Sequence, residues 1–351
     1  MTSRTSAVAC ILSSVTMAGA LCVAHSAFAQ STAMPQKWKA PRTADGHPDL
    51  QGMWTNATIT TLERPTEFGD RLVMTEAEAK VIESQNDAFN AEASAPTAPG
   101  ARTEDLPESC GLGFKGADCG YNFFWIDRGS QVASVNGQRR TSLIIDPPNG
   151  KVPALLQERQ KTVMQRYAAM RSNFDGPEAR PAGERCLLSF GSSSGPPMLP
   201  VLYNNHYQIV QTRDAVMILV EMVHDVRVIR LNGKPLPKSI RKWMGDSIGR
   251  WDGDTLVVET TNFTDREMFR GATADVKVTE RFRRVGADRI NYQFTVEDPA
   301  AFTSAWSAEY PFHLTNSPIY EYACHEGNYA LPGILAGARA DEKTAAAQGA
   351  K

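Results

Sequence analysis

From Thr141 onward, apolar and polar residues alternate in short runs, and a period of two predicts strands. The runs are Thr141–Ile145, Arg185–Phe190, Tyr207–Thr212, Ala215–Met222, Val226–Leu231, Asp246–Trp251, Thr255–Phe263, Val278–Val285, Ile290–Val296, Ser307–Phe312 and Ile319–Cys324. Arg213-Asp214, Asn232-Gly233, Asp252-Gly253 and Gly286-Ala287-Asp288 lie between neighbouring runs. Asn-Gly and Asp-Gly suit turns with positive φ, so sequential strands are expected to pair antiparallel. An open sheet of this size would expose edges that closure removes. The expected fold is therefore mainly β, an antiparallel up-and-down, lipocalin-like barrel, with a β-sandwich as the alternative. A doubly wound α/β fold would need crossover helices for which these intervals leave no room.

Two segments carry a helical pattern instead. Thr75 followed by Glu78 forms a capping box, and Ala77, Val81, Ala88 and Phe89 supply a stripe for a helix ending near Ala93. Leu156, Val163, Tyr167 and Met170 recur at helical spacing before Asp175-Gly176-Pro177 stops them. The first residues hold Arg4, an apolar run from Ala7 to Val23 and Ser26-Ala27-Phe28-Ala29, the pattern of a secretory signal peptide. The expected organisation is a signal peptide over 1–29, then an extended arm, one helix and a Pro-rich linker over 30–120. A barrel domain over 121–335 and a polar tail over 336–351 follow. The chain is thus expected to be periplasmic or secreted, with no membrane span after the leader.

Charge narrows the partners. Lys+Arg 37 against Asp+Glu 39 gives a net charge of -2, without the positive field that a phosphate backbone demands, so nucleic acid is not an expected partner. Beyond the leader lie Cys110, Cys119, Cys186 and Cys324, for which disulfides are expected in an oxidising compartment. Cys110 and Cys119 flank a Gly-rich loop and would close it locally, leaving Cys186 for Cys324. That long bridge would contribute about 4–5 kcal/mol on chain-entropy grounds. A zinc site is the rival, and the absence of any C-x-x-C pair weighs against it.

Three stretches carry a resemblance. They are Pro41-Arg42-Thr43-Ala44-Asp45-Gly46-His47-Pro48-Asp49-Leu50-Gln51-Gly52-Met53-Trp54, the block Gly245-Asp246-Ser247-Ile248-Gly249-Arg250-Trp251-Asp252-Gly253-Asp254-Thr255-Leu256-Val257-Val258, and Tyr320-Glu321-Tyr322-Ala323-Cys324-His325-Glu326-Gly327-Asn328-Tyr329. Together they resemble a family of secreted bacterial proteins to which no activity is attached. The resemblance implies export and brings no catalytic assignment.

Chemistry must then come from individual residues. Gly111-Leu112-Gly113-Phe114-Lys115-Gly116 fits a dinucleotide pattern but opens no helix. Gly191-Ser192-Ser193-Ser194-Gly195 fits a nucleophile elbow, yet Pro196-Pro197 forbids the helix it requires. Alternation through Ala215–Ile229 sets Ile218, Val220, Met222, His224, Val226 and Val228 on one face and Glu221, Asp225 and Arg227 on the other. If the apolar face lines a cavity, His224 is a proton carrier working near neutral pH. The plainer reading is a core histidine bonded to backbone, with Asp225 and Arg227 as an outer ion pair. Glu259 is either solvated on the outer wall or buried as an acid or base. Of Glu280 and Arg281, and of Glu297 and Asp298, one member each should turn inward, where structural ion pairs would account for them.

Two functions compete on this basis. The first is a cofactor-free isomerase, lyase or hydratase with His224 as base, Glu259 or His325 as proton partner, and Arg227 or Tyr322 holding an oxyanion. The second is a carrier of a lipid, terpenoid or aromatic compound. Both take a hydrophobic small molecule as partner, with no cofactor and no metal expected; an ion held by His224, His325 and a carboxylate is the rival. Oligomeric state is left open.

Overall fold

The structure is a computed structural model and describes residues 38–94, 100, 102, 126–189, 195–266 and 269–349. The signal-peptide pattern, Cys110, Cys119, the dinucleotide-like stretch and Gly191–Ser194 lie outside the described residues. The strands are β1 Gly52–Thr55, β2 Val73–Met74, β3 Ser134–Val135, β4 Gln138–Arg140, β5 Ile144–Asp146, β6 His206–Gln211, β7 Ala215–Val220, β8 Val226–Leu231, β9 Asp246–Asp252, β10 Thr255–Thr261, β11 Lys277–Gly286, β12 Arg289–Glu297 and β13 Trp306–Leu314. The helices are α1 Glu76–Ala93, α2 Gln157–Ser172 and α3 Ala330–Gly349.

Strands pair in the order β1-β6-β7-β8-β9-β10-β11-β12-β13, and β13 pairs back onto β1 through Trp54–Leu314 and Thr55–His313, closing a nine-stranded barrel. β5 attaches farther along β13. The barrel meets the expectation from sequence, but its strands are not antiparallel throughout. Direction must return to itself around a closed ring, so antiparallel pairs occur in even number. Nine contacts therefore need at least one parallel pair, and β8 and β9 supply it. Asn232-Gly233, expected to turn a hairpin, instead starts the crossover over 232–245 that brings β9 in alongside β8. Gly249 sits in that parallel pairing, where a Cβ would fall 2.8 Å from Ile229 Cγ2.

Three other expectations change. Gly52–Thr55, read as part of an arm lying on a surface, is a barrel stave whose Trp54 is fully buried. Neither Arg185–Ser189 nor Ile319–Cys324 is a strand; the two are joined by a Cys186–Cys324 disulfide, in the pairing expected from sequence. The stretch read as a polar tail carries most of α3, whose Arg339 Nη2 donates to Phe174 O at 3.0 Å. The capping box holds: Thr75 Oγ1 accepts from Glu78 N, and Glu78 Oε2 accepts from Thr75 N at 2.8 Å.

Inside the barrel, Trp54, Tyr207, Phe282, Tyr292, Phe294, Trp306, Tyr310 and Phe312 are fully buried. Their rings stack or meet edge to face, with Tyr292 centroids 5.0–5.2 Å from Phe282, Phe312 and Tyr310. Among them lies one ion pair, Arg227 with Glu280, bidentate at 3.0 and 2.6 Å with side chains 1% and 0% exposed. Glu280 is thus the inward member of its sequence pair, as expected. Tyr292 Oη donates to Glu280 Oε1 at 2.7 Å. Burial disfavours the Arg227 charge, but the field and hydrogen bonds of Glu280 outweigh it and raise the guanidinium pKa.

The chain fills the remaining interior with itself. Met198, fully buried, donates its N–H to Tyr292 Oη at 3.1 Å. Its carbonyl accepts from Tyr310 Oη at 2.6 Å and Asn56 Nδ2 at 2.9 Å. The hollow chamber expected from sequence is therefore occupied by aromatic rings, an ion pair and this plug.

Removing one partner leaves the other charged and unpaired in an apolar setting. Arg227→Met is expected to destabilise the fold by about 3–5 kcal/mol, and Arg227→Met with Glu280→Met by less than the single change. Denaturant midpoints test this; a single variant as stable as the parent would refute the clamp.

Candidate functional site at the upper mouth

The position of the site follows from a turn. Alternation does not run straight through Ala215–Ile229, because Glu221–Asp225 is a reverse turn with Val223 at φ 59° and His224 at φ 45°. β7 and β8 pair antiparallel across it, with Ile218 opposite Arg227. Cross-strand partners share a face, so the inward Ile218 brings Arg227 inside and sends Val226 and Val228 out. The expected inward histidine is thereby corrected: His224 is exposed, its Nδ1 3.3 Å from Tyr322 O.

The other candidates do not converge either. Glu259 is exposed on the outer wall, opposite Ile248 on β9 and Thr279 on β11. His325 is exposed in the turn after the disulfide. Arg227 is committed to Glu280 within the barrel. Tyr322 is half-buried, and burial together with a hydrogen bond to Tyr203 raises its hydroxyl pKa. Among the described residues no group of three or more His, Cys, Asp or Glu is placed to hold a metal ion.

The barrel has two unlike mouths. The lower one, where β6 turns into β7 and β9 into β10, is capped by the arm. Arg42 Nη2 meets Asp254 Oδ1 at 2.7 Å, His47 stacks on Trp251 at 4.8 Å, and Arg284 Nη1 donates to Asp49 O at 2.7 Å. The upper one carries two adjoining cavities of about 440 and 490 Å³, which share Ser189, Leu199, Pro200, Val201 and Arg270. Their shared wall is the outer continuation of the Met198 plug. Thr58–Leu62, Leu143, Met222 and Tyr203 give the first cavity a mostly apolar lining; the second mixes Phe263, Phe269, Val276 and Val278 with Tyr167, Thr264 and Thr273.

Two arginines project into the first cavity. Arg128 is held from α1, where Asn86 Oδ1 accepts from its Nη2 at 2.8 Å and the Phe89 ring lies 5.8 Å from its Cζ. Its buried Nε has no hydrogen-bond partner. Arg270 stands on the turn Phe269–Gly271 with φ 49°, a left-handed backbone that costs a side-chain-bearing residue of order 1 kcal/mol. Arg159 of α2 fixes this turn by donating to the carbonyls of Gly271 and Ala272, both at 2.6 Å. Phe269 also stacks on Trp306 at 5.9 Å.

Desolvation lowers the pKa of Arg128. It lowers that of Arg270 too, against a weaker upward pull from Glu63, although Arg270 is exposed to solvent over much of its surface. Arginine stays charged at any working pH, so both are cations stripped of some water. No carboxylate lines either cavity among the described residues. The sequence held no pattern that marked either residue.

A second unforeseen feature lies at the same end. Glu221, assigned to the outer face by alternation, is buried and accepts from Tyr320 N at 3.1 Å; its Oε2 lies 3.0 Å from His206 Nδ1. Burial alone would raise the Glu221 pKa, but His206 and the Tyr320 N–H bring it below the ordinary carboxylate value. The Glu221 hydrogen bond raises that of His206 against desolvation, with help from Asp127. The pair ties β6, the Glu221–Asp225 turn and the C-terminal segment together.

Comparison with family models, with curated proteins and with solved structures gives no match, so the site is read from its own geometry.

The signs of the two shifts define a pH window. The depressed Glu221 pKa gives stability that is present above roughly pH 4.5 and lost as pH falls through the folded-state value. The raised His206 pKa gives stability that is complete below roughly pH 6.5 and lost as pH rises through its folded-state value. The Tm advantage of the parent over Glu221→Gln is expected to peak between these limits, and a pH-independent difference would refute the tie.

Proposed function

We propose that this protein binds a hydrophobic small molecule in the upper-mouth cleft and carries it without transforming it, in the periplasm or outside the cell. The observation that carries this reading is the apolar cleft floored by Leu199–Val201 above a filled barrel. Cavities of this size suit one small molecule, and concave apolar walls with few polar groups are the usual form of such sites. The carrier is favoured over an isomerase, lyase or hydratase because His224, Glu259 and His325, the proton carriers expected for those reactions, line neither cavity. The Cys186–Cys324 bridge suits an oxidising compartment, which agrees with the export that the signal-peptide pattern and the resemblance lead one to expect. Among the described residues no helix is long and apolar enough to cross a membrane.

A neutral fluorophore, N-phenyl-1-naphthylamine, tests the cleft. Saturable micromolar binding at about one site per chain is expected. Val201→Phe narrows both cavities without adding charge, and it is expected to weaken binding about tenfold, or ~1.4 kcal/mol, at an unchanged Tm. Absence of saturable binding, or equal affinity in that variant, would overturn the reading.

A further inference from the structure

We infer that the ligand is an amphipathic carboxylate, its head between Arg128 and Arg270 and its apolar body along Leu199–Val201 and the Phe269 side of the cleft. This rests on the proposed cleft and names the chemistry it selects. Four observations support it.

The charge is one-sided: both arginines line the 440 Å³ cavity, and no Asp or Glu lines it or its neighbour among the described residues. The cavity's other polar groups are already engaged. Thr58 Oγ1 donates to Gln131 O at 2.9 Å, and Thr61 Oγ1 donates to Glu63 O at 2.7 Å. Thr60 Oγ1 accepts from Ala133 N at 2.8 Å. Glu63, the acid whose field reaches Arg270, is itself occupied by Lys151 Nζ at 3.7 Å and by Val152 N at 3.2 Å.

Each arginine is held while donors stay available. Arg128 is fixed through Nη2 by Asn86, and no hydrogen bond or ion pair among the described residues engages its Nη1. Arg270 has no carboxylate within ion-pair reach among the described residues, and the turn that aims it is clamped by Arg159. Planar guanidinium forks match the two oxygens of a carboxylate, and charge-assisted bonds in a partly desolvated cleft are stronger than in water.

The shape agrees with the charge. Arg128 stands beside Thr58–Thr61 and Arg270 borders both cavities, while Leu62, Leu143, Leu202 and Met222 give the first cavity a mostly apolar lining that Phe263 and Phe269 continue on the far side of Leu199–Val201. A headgroup seated at the arginines therefore leaves a hydrocarbon body to lie against Leu199–Val201 and the Phe269 side chain.

Calorimetric titration of the intact protein with dodecanoate and with dodecanol tests this inference, since the two share a chain and differ at the head. Dodecanoate is expected to bind at least tenfold more tightly. In Arg128→Gln with Arg270→Gln the ratio of the two affinities is expected to fall toward one. Arg270→Gln alone, on a solvent-reaching turn, gives the same reading at about half the logarithmic change if the double variant does not fold. Equal affinities in the parent would overturn the carboxylate head while leaving the cleft standing. A ratio unchanged in the variants would overturn the arginine assignment, and failure of both alkyl compounds to bind would overturn the cleft itself.

Discussion

The Arg227–Glu280 pair sets the rest of the structure. A guanidinium within a ring of buried aromatic side chains is tolerable only with a fully bonded counter-charge. Glu280 supplies it, and its Oε1 also receives the Tyr292 hydroxyl. That hydroxyl, oriented by donating to Glu280, must accept elsewhere, and it accepts from Met198 N. Tyr310 and Asn56 take the Met198 carbonyl, so both backbone groups of a fully buried peptide are satisfied. Leu199–Val201 follow directly and form the wall shared by both cavities. The floor of the cleft is thus held in place, through two hydrogen-bonded steps, by an ion pair at the centre of the barrel.

That same pair depends on one reverse turn. Antiparallel pairing across Glu221–Asp225 makes the inward Ile218 the partner of Arg227. A straight continuation of the alternation would have put His224 inside and Arg227 out, leaving Glu280 without its cation. The turn also buries Glu221, whose charge is balanced by His206 and by a backbone N–H from the C-terminal segment. One local change of direction therefore determines two buried carboxylates and excludes an imidazole from the interior.

Much of the architecture was legible because it rests on local pattern. Alternation located β6 through β13 closely, and the tight turns between β9 and β10 and between β11 and β12 fall at their Gly- and Asp-containing signals. The Thr75–Glu78 box placed α1, whose Asn86 proves to hold a cleft arginine. Two of the family-like stretches acquire a joint role: Arg42 meets Asp254 and His47 stacks on Trp251, so together they close the lower mouth. What stayed hidden depends on non-local geometry. Alternation cannot distinguish a long strand from a hairpin whose turn is made of Glu, Met, Val, His and Asp without glycine. The single parallel pair follows from the parity of closure, a property of the whole ring. Arg128 and Arg270 meet at one cavity from positions far apart in sequence, and no spacing announces that.

The arginines of the two ends differ in how their charge is met. At the lower mouth Arg42 has Asp254, and Arg284 has the carbonyls of Asp49 and Ala287. Arg64, buried at 1% exposure, spends its donors on Ser142 and Pro148. The chain has no shortage of acids, with Asp+Glu 39 against Lys+Arg 37, and among the described residues cations such as Arg139, Arg230 and Arg241 meet one directly. Arg128 has a neutral amide and a ring, while Arg270 stands on a strained turn facing a cavity without carboxylates. Desolvating a cation without a counter-charge is unfavourable, and a backbone held in the left-handed region adds to it. An arriving anion would offset the first term and give the second a purpose. Arg64 is desolvated as well, but its partners Ser142 and Pro148 are fixed parts of the chain, whereas Arg128 and Arg270 border a cavity with apolar walls.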